Sequence, residues 1–504
     1  MRDSESRRGV ARRSLVLMKT SREFYQRPKS GSCILCFMKC LWLLVFGAGL
    51  SAQDAGIVLR TSVTYNTQKA TLQLTEEQRK QADELSRQAQ QANQAGKYGD
   101  AMRSLYHGLA VMRKVEWTPA FEFASSLQGK LDHAIVEPGA QVNVMLTALY
   151  AAPGGKLNAS LVLMPGEKQL GSAEVDSSAM PFHKRVDLAG VPPGDYTIEL
   201  RLPGTGVGKS LPVHVDTLGE PVQRLRARLA KAPKKDGVAT AEYALALYDR
   251  ADAGELNPAR VKFREEFAAA EAIVNALEAG KDPFAGKHGD SHRAYRSAVD
   301  NTLQPYRLFI PETYDGSKPT PLVVALHGMG GDENSMFDSY ANGLLKREAE
   351  RLGFMVVCPK GRDSASMYRG SAEQDVLDVL AEVRRNYRVD AARIYLMGHS
   401  MGAYGTWSTA MDHPDIFAAL GPISGGGSAA GMVKIRHIPQ YVVHGDDDRT
   451  VSVTQSRTMV EAGKKAGAEI VYVEVPGGSH VGVAAPAFPG MLDFFAKQKK
   501  DAAQ

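Results

Sequence analysis

The sequence predicts a doubly wound, mostly parallel α/β sheet over residues 290–504, preceded by a helical segment and a small all-β domain. Three observations predict this. Apolar runs such as Pro321-Leu322-Val323-Val324-Ala325-Leu326 lack polar alternation, as strands buried on both faces must. These runs alternate with amphipathic, helix-like stretches, the signature of parallel strands joined by helices. Upstream, from about Leu127 to Val215, the apolar period shortens to two and Pro-Gly turns recur, as in short antiparallel strands.

The amino terminus is of another kind. Residues 1–39 hold ten Lys or Arg and three Asp or Glu, a charge of +7, so the chain's net +5 leaves −2 for the rest. A body with no basic excess gives no footing for nucleic-acid binding. Lys39 is followed by CLWLLVFGAGL and then Ser51-Ala52-Gln53. A basic stretch, a short apolar run and small residues make a secretory signal, too short for a comfortable membrane span. Residues 1–52 are therefore read as leader and signal, with translation expected to start at Met38. The expected location is secreted or periplasmic, with no stable membrane insertion after processing. Three of the four cysteines (Cys33, Cys36, Cys40) lie in the leader, and only Cys358 remains to the mature chain. It can form no internal disulfide, and Cys33-x-x-Cys36 has no partner pair for zinc.

Residues 53–120 read as a helical hairpin region. Gly96-Lys97-Tyr98, Ala101, Leu105 and Gly108 resemble half of one tetratricopeptide unit, but no second copy follows to build a solenoid. Residues 127–216 read as a small β-sandwich resembling an immunoglobulin-like domain. Strands are expected at Val142–Leu146, Ala159–Met164 and Asp195–Leu200, with Pro138-Gly139, Pro153-Gly154, Pro165-Gly166 and Pro192-Pro193-Gly194 between them. No sugar-stacking aromatic cluster stands out, so a spacer or interaction role is favoured over carbohydrate binding. Protein or glycan contact through this domain stays open. Gly204-Thr205-Gly206-Val207-Gly208-Lys209-Ser210 is one residue short of a phosphate-binding loop and reads as an ordinary loop. Residues 217–289 read as a helical connector.

Within residues 290–504, a hairpin of two strands (Arg293–Val299, Gln304–Pro311) precedes strands at Pro321–Leu326, Phe354–Cys358, Arg393–Met397, Ala418–Ile423, Gln440–Val443 and Ile470–Val475. Helices are expected at Asn342–Leu352, Ala372–Tyr387, Ala403–Met411, Val453–Ala466 and Met491–Lys497.

The pentapeptide Gly398-His399-Ser400-Met401-Gly402 joins a strand to a helix in the form G-x-S-x-G. Such a turn swings a serine off a strand end within a few residues, which requires strained backbone angles and close packing. A serine hydroxyl needs a base to take its proton, and the base needs an acid to orient it. In a fold of this kind the chain order is Ser, then Asp or Glu, then His. Asp448 follows strand Gln440–Val443 in His444-Gly445-Asp446-Asp447-Asp448, and His480 follows the last strand in Gly477-Gly478-Ser479-His480. Ser400, Asp448 and His480 are thus the candidate triad, with Asp446 as second choice for the acid. The oxyanion donors are expected to be the N–H of Met401 and, from the loop His327-Gly328-Met329-Gly330, the N–H of Met329. His327 and His399 are read as packing or hydrogen-bonding residues. No metal, nucleotide or flavin is implied.

Tyr306–Pro311, Leu326–Gly331, Gly398–Trp407 and Phe417–Gly426 make residues 304–495 resemble the secreted α/β-hydrolases grouped with feruloyl esterases and poly(3-hydroxybutyrate) depolymerases, especially the branch called predicted peptidases. Ala403 stands where a third glycine is common. The resemblance implies a Ser-His-Asp hydrolase of carboxylic esters, free or polymer-attached, with Ser400, His480 and Asp448 in those roles. Three functions are weighed: an extracytoplasmic carboxylesterase, a serine peptidase on the same triad, and a binding or scaffold protein with an inactive hydrolase domain. Between Ile423 and Gln440 only about sixteen residues are free, too few for two packed helices, so a lidless site is expected.

Overall fold

The computed structural model describes residues 56–500 apart from Lys234 and Ser364, so the leader, the signal and their three cysteines lie outside the described residues. From Val58 onward the chain is one compact unit.

Four helices come first: α1 (residues 56–71), α2 (Glu76–Gln94), α3 (Tyr98–Met112) and α4 (Pro119–Ser126). Thr75 and Gln78 start α2 with a reciprocal capping box. The helical region is more than a hairpin, because α1 packs onto α2 and α3. Tyr65 is fully buried and donates to the Ala82 carbonyl at 2.6 Å. Gly108 leaves it room, since a Cβ there would stand 2.2 Å from the Tyr65 hydroxyl. The β-branched Thr61, Val63, Thr64 and Thr67 disfavour a helix, and this tertiary packing outweighs their propensity.

Eight strands follow: β1 (Leu127–Leu131), β2 (Ile135–Val136), β3 (Gln141–Ala148), β4 (Lys156–Met164), β5 (Lys168–Asp176), β6 (Phe182–Asp187), β7 (Gly194–Leu202) and β8 (Val207–Val215). They form a three-stranded sheet, β1-β3-β6, and a five-stranded sheet, β2-β8-β7-β4-β5. All pairs are antiparallel except β2 with β8. Val144 and Leu146 from one sheet and Leu161, Ile198 and Val213 from the other fill a shared core. One expectation is corrected: only Gly204–Gly206 is a turn, while Val207–Ser210 belongs to β8, whose backbone pairs with β7.

Helices α5 (Gly219–Leu229), α6 (Val238–Asp252) and α7 (Phe263–Glu278) pack around Leu225, Phe267 and Val274. They lead to an eight-stranded mixed sheet: β9 (Gly289–Arg296), β10 (Leu303–Ile310), β11 (Thr320–Leu326), β12 (Met355–Pro359), β13 (Val389–His399), β14 (Ala419–Ile423), β15 (Gln440–Gly445) and β16 (Ile470–Val475). Their order is β16-β15-β14-β13-β11-β12-β10-β9, parallel from β12 through β16 and antiparallel at β10 and β9. The helices between them are α8 (Ser335–Asp338), α9 (Leu344–Leu352), α10 (Ser371–Asn386), α11 (Met401–Asp412), α12 (Thr454–Lys465) and α13 (Ala484–Phe495).

Strand alternation divides the core between the two faces. Leu322, Val324 and Leu326 join Val376, Trp407 and Met459 of α10, α11 and α12. Val323 and Ala325 join Leu345, Phe488 and Phe495 of α9 and α13. Helix α13 begins seven residues before the expected Met491, at Ala484. Pro486, Pro489 and Gly490 hide it in the sequence, yet burial of Phe488 and Met491 holds it together. The strand order reverses at β11, which lies between β13 and β12, and ligands bind outside the carboxyl ends of strands at such a switch.

Candidate active site

The loop after β11 and the turn after β13 meet at this switch point. Ser400 sits between β13 and α11 with φ of 57° and ψ of −116°, a left-handed conformation costly for a side-chain-bearing residue. The flanking glycines serve close approach. A Cβ on Gly398 would stand 2.3 Å from the Gly402 carbonyl oxygen, and one on Gly402 would stand 2.2 Å from that of Leu326. Backbone strain is thus carried by Ser400 itself, and the strand–turn–helix contact by the glycines. The Ser400 N–H is tied to the Ile423 carbonyl of β14 at 2.9 Å.

His480 and Asp448 reach this point from the ends of β16 and β15. Their loops touch at main-chain distance, since a Cβ on Gly445 would meet the Gly478 oxygen at 2.0 Å. His480 Nε2 lies 2.9 Å from Ser400 Oγ, and His480 Nδ1 lies 2.7 Å from Asp448 Oδ2. Asp448 Oδ1 accepts the N–H groups of Thr450 and Val451 at 2.9 and 2.8 Å. Burial raises the affinity of Asp448 for a proton. The His480 hydrogen bond and the two amides outweigh it and hold the carboxyl below its usual range. Asp446 accepts the Gly477 N–H at 2.6 Å and so braces the His480 loop, while Asp447 pairs with Arg449. Among the three aspartates, Asp448 is the one that touches the imidazole.

Several surrounding residues carry no motif of their own. His399 donates through Nε2 to the main-chain carbonyl of His480 at 2.9 Å and accepts the Tyr340 hydroxyl at Nδ1 at 2.8 Å. Burial pushes the His399 imidazolium down to about 4, so the ring stays neutral and keeps that tautomer. Ser424, another left-handed residue, donates to the same His480 carbonyl at 3.2 Å. His444 is fully buried and shares Asp448 Oδ2 with His480, at 3.1 Å from its own Nε2. Its Nδ1 meets Ser456 Oγ at 2.7 Å, and Ser456 in turn donates to the Gly425 carbonyl at 3.0 Å.

The loop after β11 is held by Tyr368, whose hydroxyl accepts the His327 N–H at 3.0 Å. The Tyr368 ring fills the space left by Gly361 and Gly405, where a Cβ would come within 2.5 and 2.7 Å of it. The His327 ring spans the carbonyls of Gly328 and Lys360, each at 2.8 Å. Gly328 lies over Ser400, its Cβ position 3.4 Å from the Ser400 Cβ. Met329 follows, 47% exposed as a residue, and Met401 opens α11 beside the serine. Among the described residues, neither Met329 nor Met401 gives its N–H to another main-chain group outside the helices and strands. Residues 424–439, between β14 and β15, hold one 3-10 helix (Ala429–Ile435), whose Met432 and Ile435 are packed into the core. Among the described residues no group of three or more His, Cys, Asp or Glu side chains is placed to hold a metal ion.

The Esterase family model matches residues 301–433. A bifunctional acetylxylan esterase/xylanase of Neocallimastix patriciarum is 30% identical over 27% of this chain and 20% of its own length. Feruloyl esterase B of Neurospora crassa is 33% identical over 23% of this chain and 42% of its own. The chain thus spans less than half the length of either relative. A solved ferulic acid esterase structure aligns with 19% identity and a TM-score of 0.37, covering 41% of this chain and 98% of that one.

Proposed function

We propose, from the premise that this chain contains an α/β-hydrolase of the feruloyl-esterase kind, that it hydrolyses carboxylic esters through a covalent acyl-serine. The observation that carries the reading is the continuous line Ser400 Oγ, His480, Asp448, with links of 2.9 and 2.7 Å. Ser400 is the nucleophile. His480 Nε2 takes its proton as Oγ attacks the ester carbonyl, and Asp448 holds the ring with Nδ1 protonated and stabilises the imidazolium that forms. The N–H groups of Met329 and Met401 receive the oxyanion, each expected to contribute about 10²–10³ in kcat. His480 then protonates the departing alcohol, and a water activated by the same imidazole frees the acid.

The substrate class proposed is an acyl or aryl ester attached to carbohydrate. The names of the two curated relatives support this, as does the short 424–439 connection, which leaves the serine without a helical lid. The basic and apolar leader of residues 1–52 supports action outside the cytoplasm. Among the described residues no helix is long and apolar enough to cross a membrane.

Ser400→Ala tests the reading. Hydrolysis of p-nitrophenyl acetate should fall by at least about 10⁴-fold and fluorophosphonate labelling should vanish, with the melting temperature kept. Retention of more than about a tenth of the activity would end the proposal. Turnover of a peptide anilide at a rate matching the ester would move the enzyme to the peptidases.

A further inference from the structure

A cleft of about 540 Å³ opens where α1, α3 and α4 face the start of β8, within the region that contributes nothing to the triad. Three cations line it: Arg60, Arg113 and Lys209. No Asp or Glu lines it, and among the described residues none of the three is paired with a carboxylate within 4.0 Å. Arg113 reaches only the neutral Gln68, at 2.9 Å. Lys209 has one long contact, 3.5 Å to the Ser125 carbonyl. Burial without a counter-ion pushes the Lys209 ammonium down to about 8, a cost that a bound anion would relieve.

Tyr106 and Phe121 provide the apolar wall, while the hydroxyls of Thr64 and Ser125 are turned to the Arg60 and Glu122 carbonyls at 3.3 and 2.9 Å. Phe121 continues into a small aromatic group with Trp117 and His107. Trp117 meets it edge-on at 5.4 Å and stacks on His107 at 4.6 Å. Aromatic faces and unpaired cations together match a pyranose ring bearing a carboxylate.

We propose that this cleft binds an acidic sugar chain, with a uronate carboxylate against Lys209 and the two arginines and a sugar ring against Tyr106 and Phe121. The site would anchor a carboxylated glycan to the same chain that carries the esterase region. It gives Lys209, in the tract that falls short of a phosphate loop, a different anionic partner. The proposal does not depend on the triad and can fail or hold apart from it.

Calorimetric titration of the full chain with trigalacturonate, xylotriose, inorganic phosphate and a short polyglutamate tests it. Trigalacturonate should bind, and the other three should bind at least about tenfold more weakly. Lys209→Met and, separately, the rim change Arg113→Gln should each weaken trigalacturonate about ten- to a hundredfold while p-nitrophenyl acetate turnover stays unchanged. The Arg113 variant keeps the test decisive if the Lys209 variant folds poorly. Equal binding of xylotriose, phosphate or polyglutamate would overturn the proposal in favour of a neutral-sugar, simple-anion or acidic-peptide site. Wild-type affinity in either variant, or no binding of trigalacturonate, would overturn it outright.

Discussion

The β-sandwich and the catalytic sheet use glycine for different physical ends. In the sandwich, Gly139, Gly190 and Gly206 have φ of +82°, +70° and +67°, and a Cβ on any of them would meet nothing within 4 Å. They are chosen for a left-handed backbone at exposed turns. In the catalytic region, Gly398, Gly402 and Gly445 lack positive φ, but a Cβ would come within 2.3, 2.2 and 2.0 Å of main-chain oxygen. They are chosen because two backbones touch there. The first kind bends a chain; the second brings together loops that carry the reacting groups. A turn glycine can therefore change with local strain alone, whereas a contact glycine takes the site with it.

Four measurements would break or sharpen this contrast. The largest effect is expected at Asp448, the proposed acid, which the Gly445–Gly478 contact brings to the imidazole. Asp448→Asn should cut kcat by about 10³–10⁴, while Asp446→Asn, which loses only a brace on a loop amide, should cost far less. A reversed ranking in ester kinetics would show that loop contact does not select the acid.

Next comes the contact itself. Gly402→Ala pushes a methyl into the Leu326 carbonyl and should destabilise the protein by about 3 kcal/mol or more, with activity lost per folded molecule. Gly190→Ala should cost about 1–2 kcal/mol and leave kcat alone. Denaturant melts with parallel assays would decide, and equal costs would erase the distinction.

A smaller effect is expected at His444, which shares Asp448 Oδ2. His444→Phe should lower kcat by about tenfold, because Asp448 loses one of the groups that fix Oδ2 beside His480. An unchanged kcat with a lower melting temperature would make His444 a packing residue only.

The smallest effect concerns the seam between the connector and the catalytic sheet. His292 of β9 lies 3.0 Å from Glu333 and 3.3 Å from Glu266 of α7. Burial alone would lower its proton affinity, but the two carboxylates outweigh that and raise it to about 9. Its folded value lies above the ordinary 6.5, so its stabilising contribution is complete below pH 6.5 and is lost as pH rises through 9. The melting temperature should fall across that window in the wild type and fall less in His292→Gln. Parallel curves would remove the ion pairs from the stability of the seam.

The sequence made some of this legible and not the rest, for identifiable reasons. Strand β11 and the second half of β13, residues 394–397, announce themselves because a stretch buried on both faces must be apolar. Ser400 announces itself because the elbow restricts which residues can flank it. Asp446 and Asp448 stand two residues apart in one loop, and what separates them, that Asp446 faces an amide and Asp448 the imidazole, lies in the fold. Strands β5 and β6 stayed hidden because most of their residues are exposed or half-exposed: β5 follows no clean alternation, and β6 alternates in burial but sets Lys184 on its inner side. Tyr368, Tyr340 and Ser424 act through contacts 41, 59 and 56 residues away along the chain, and no local pattern encodes such pairs.

The carbonyl of His480 accepts two hydrogen bonds, from His399 beside Ser400 and from Ser424 at the end of β14. The imidazole proposed as general base is thereby fastened through its own main chain to the ends of β13 and β14. A joint of this kind has no soft hinge that can loosen ahead of the sheet. On gradual heating, the chain should therefore keep its working geometry until the sheet cooperatively melts, and the loss of hydrolysis should trace the same curve as the loss of ellipticity.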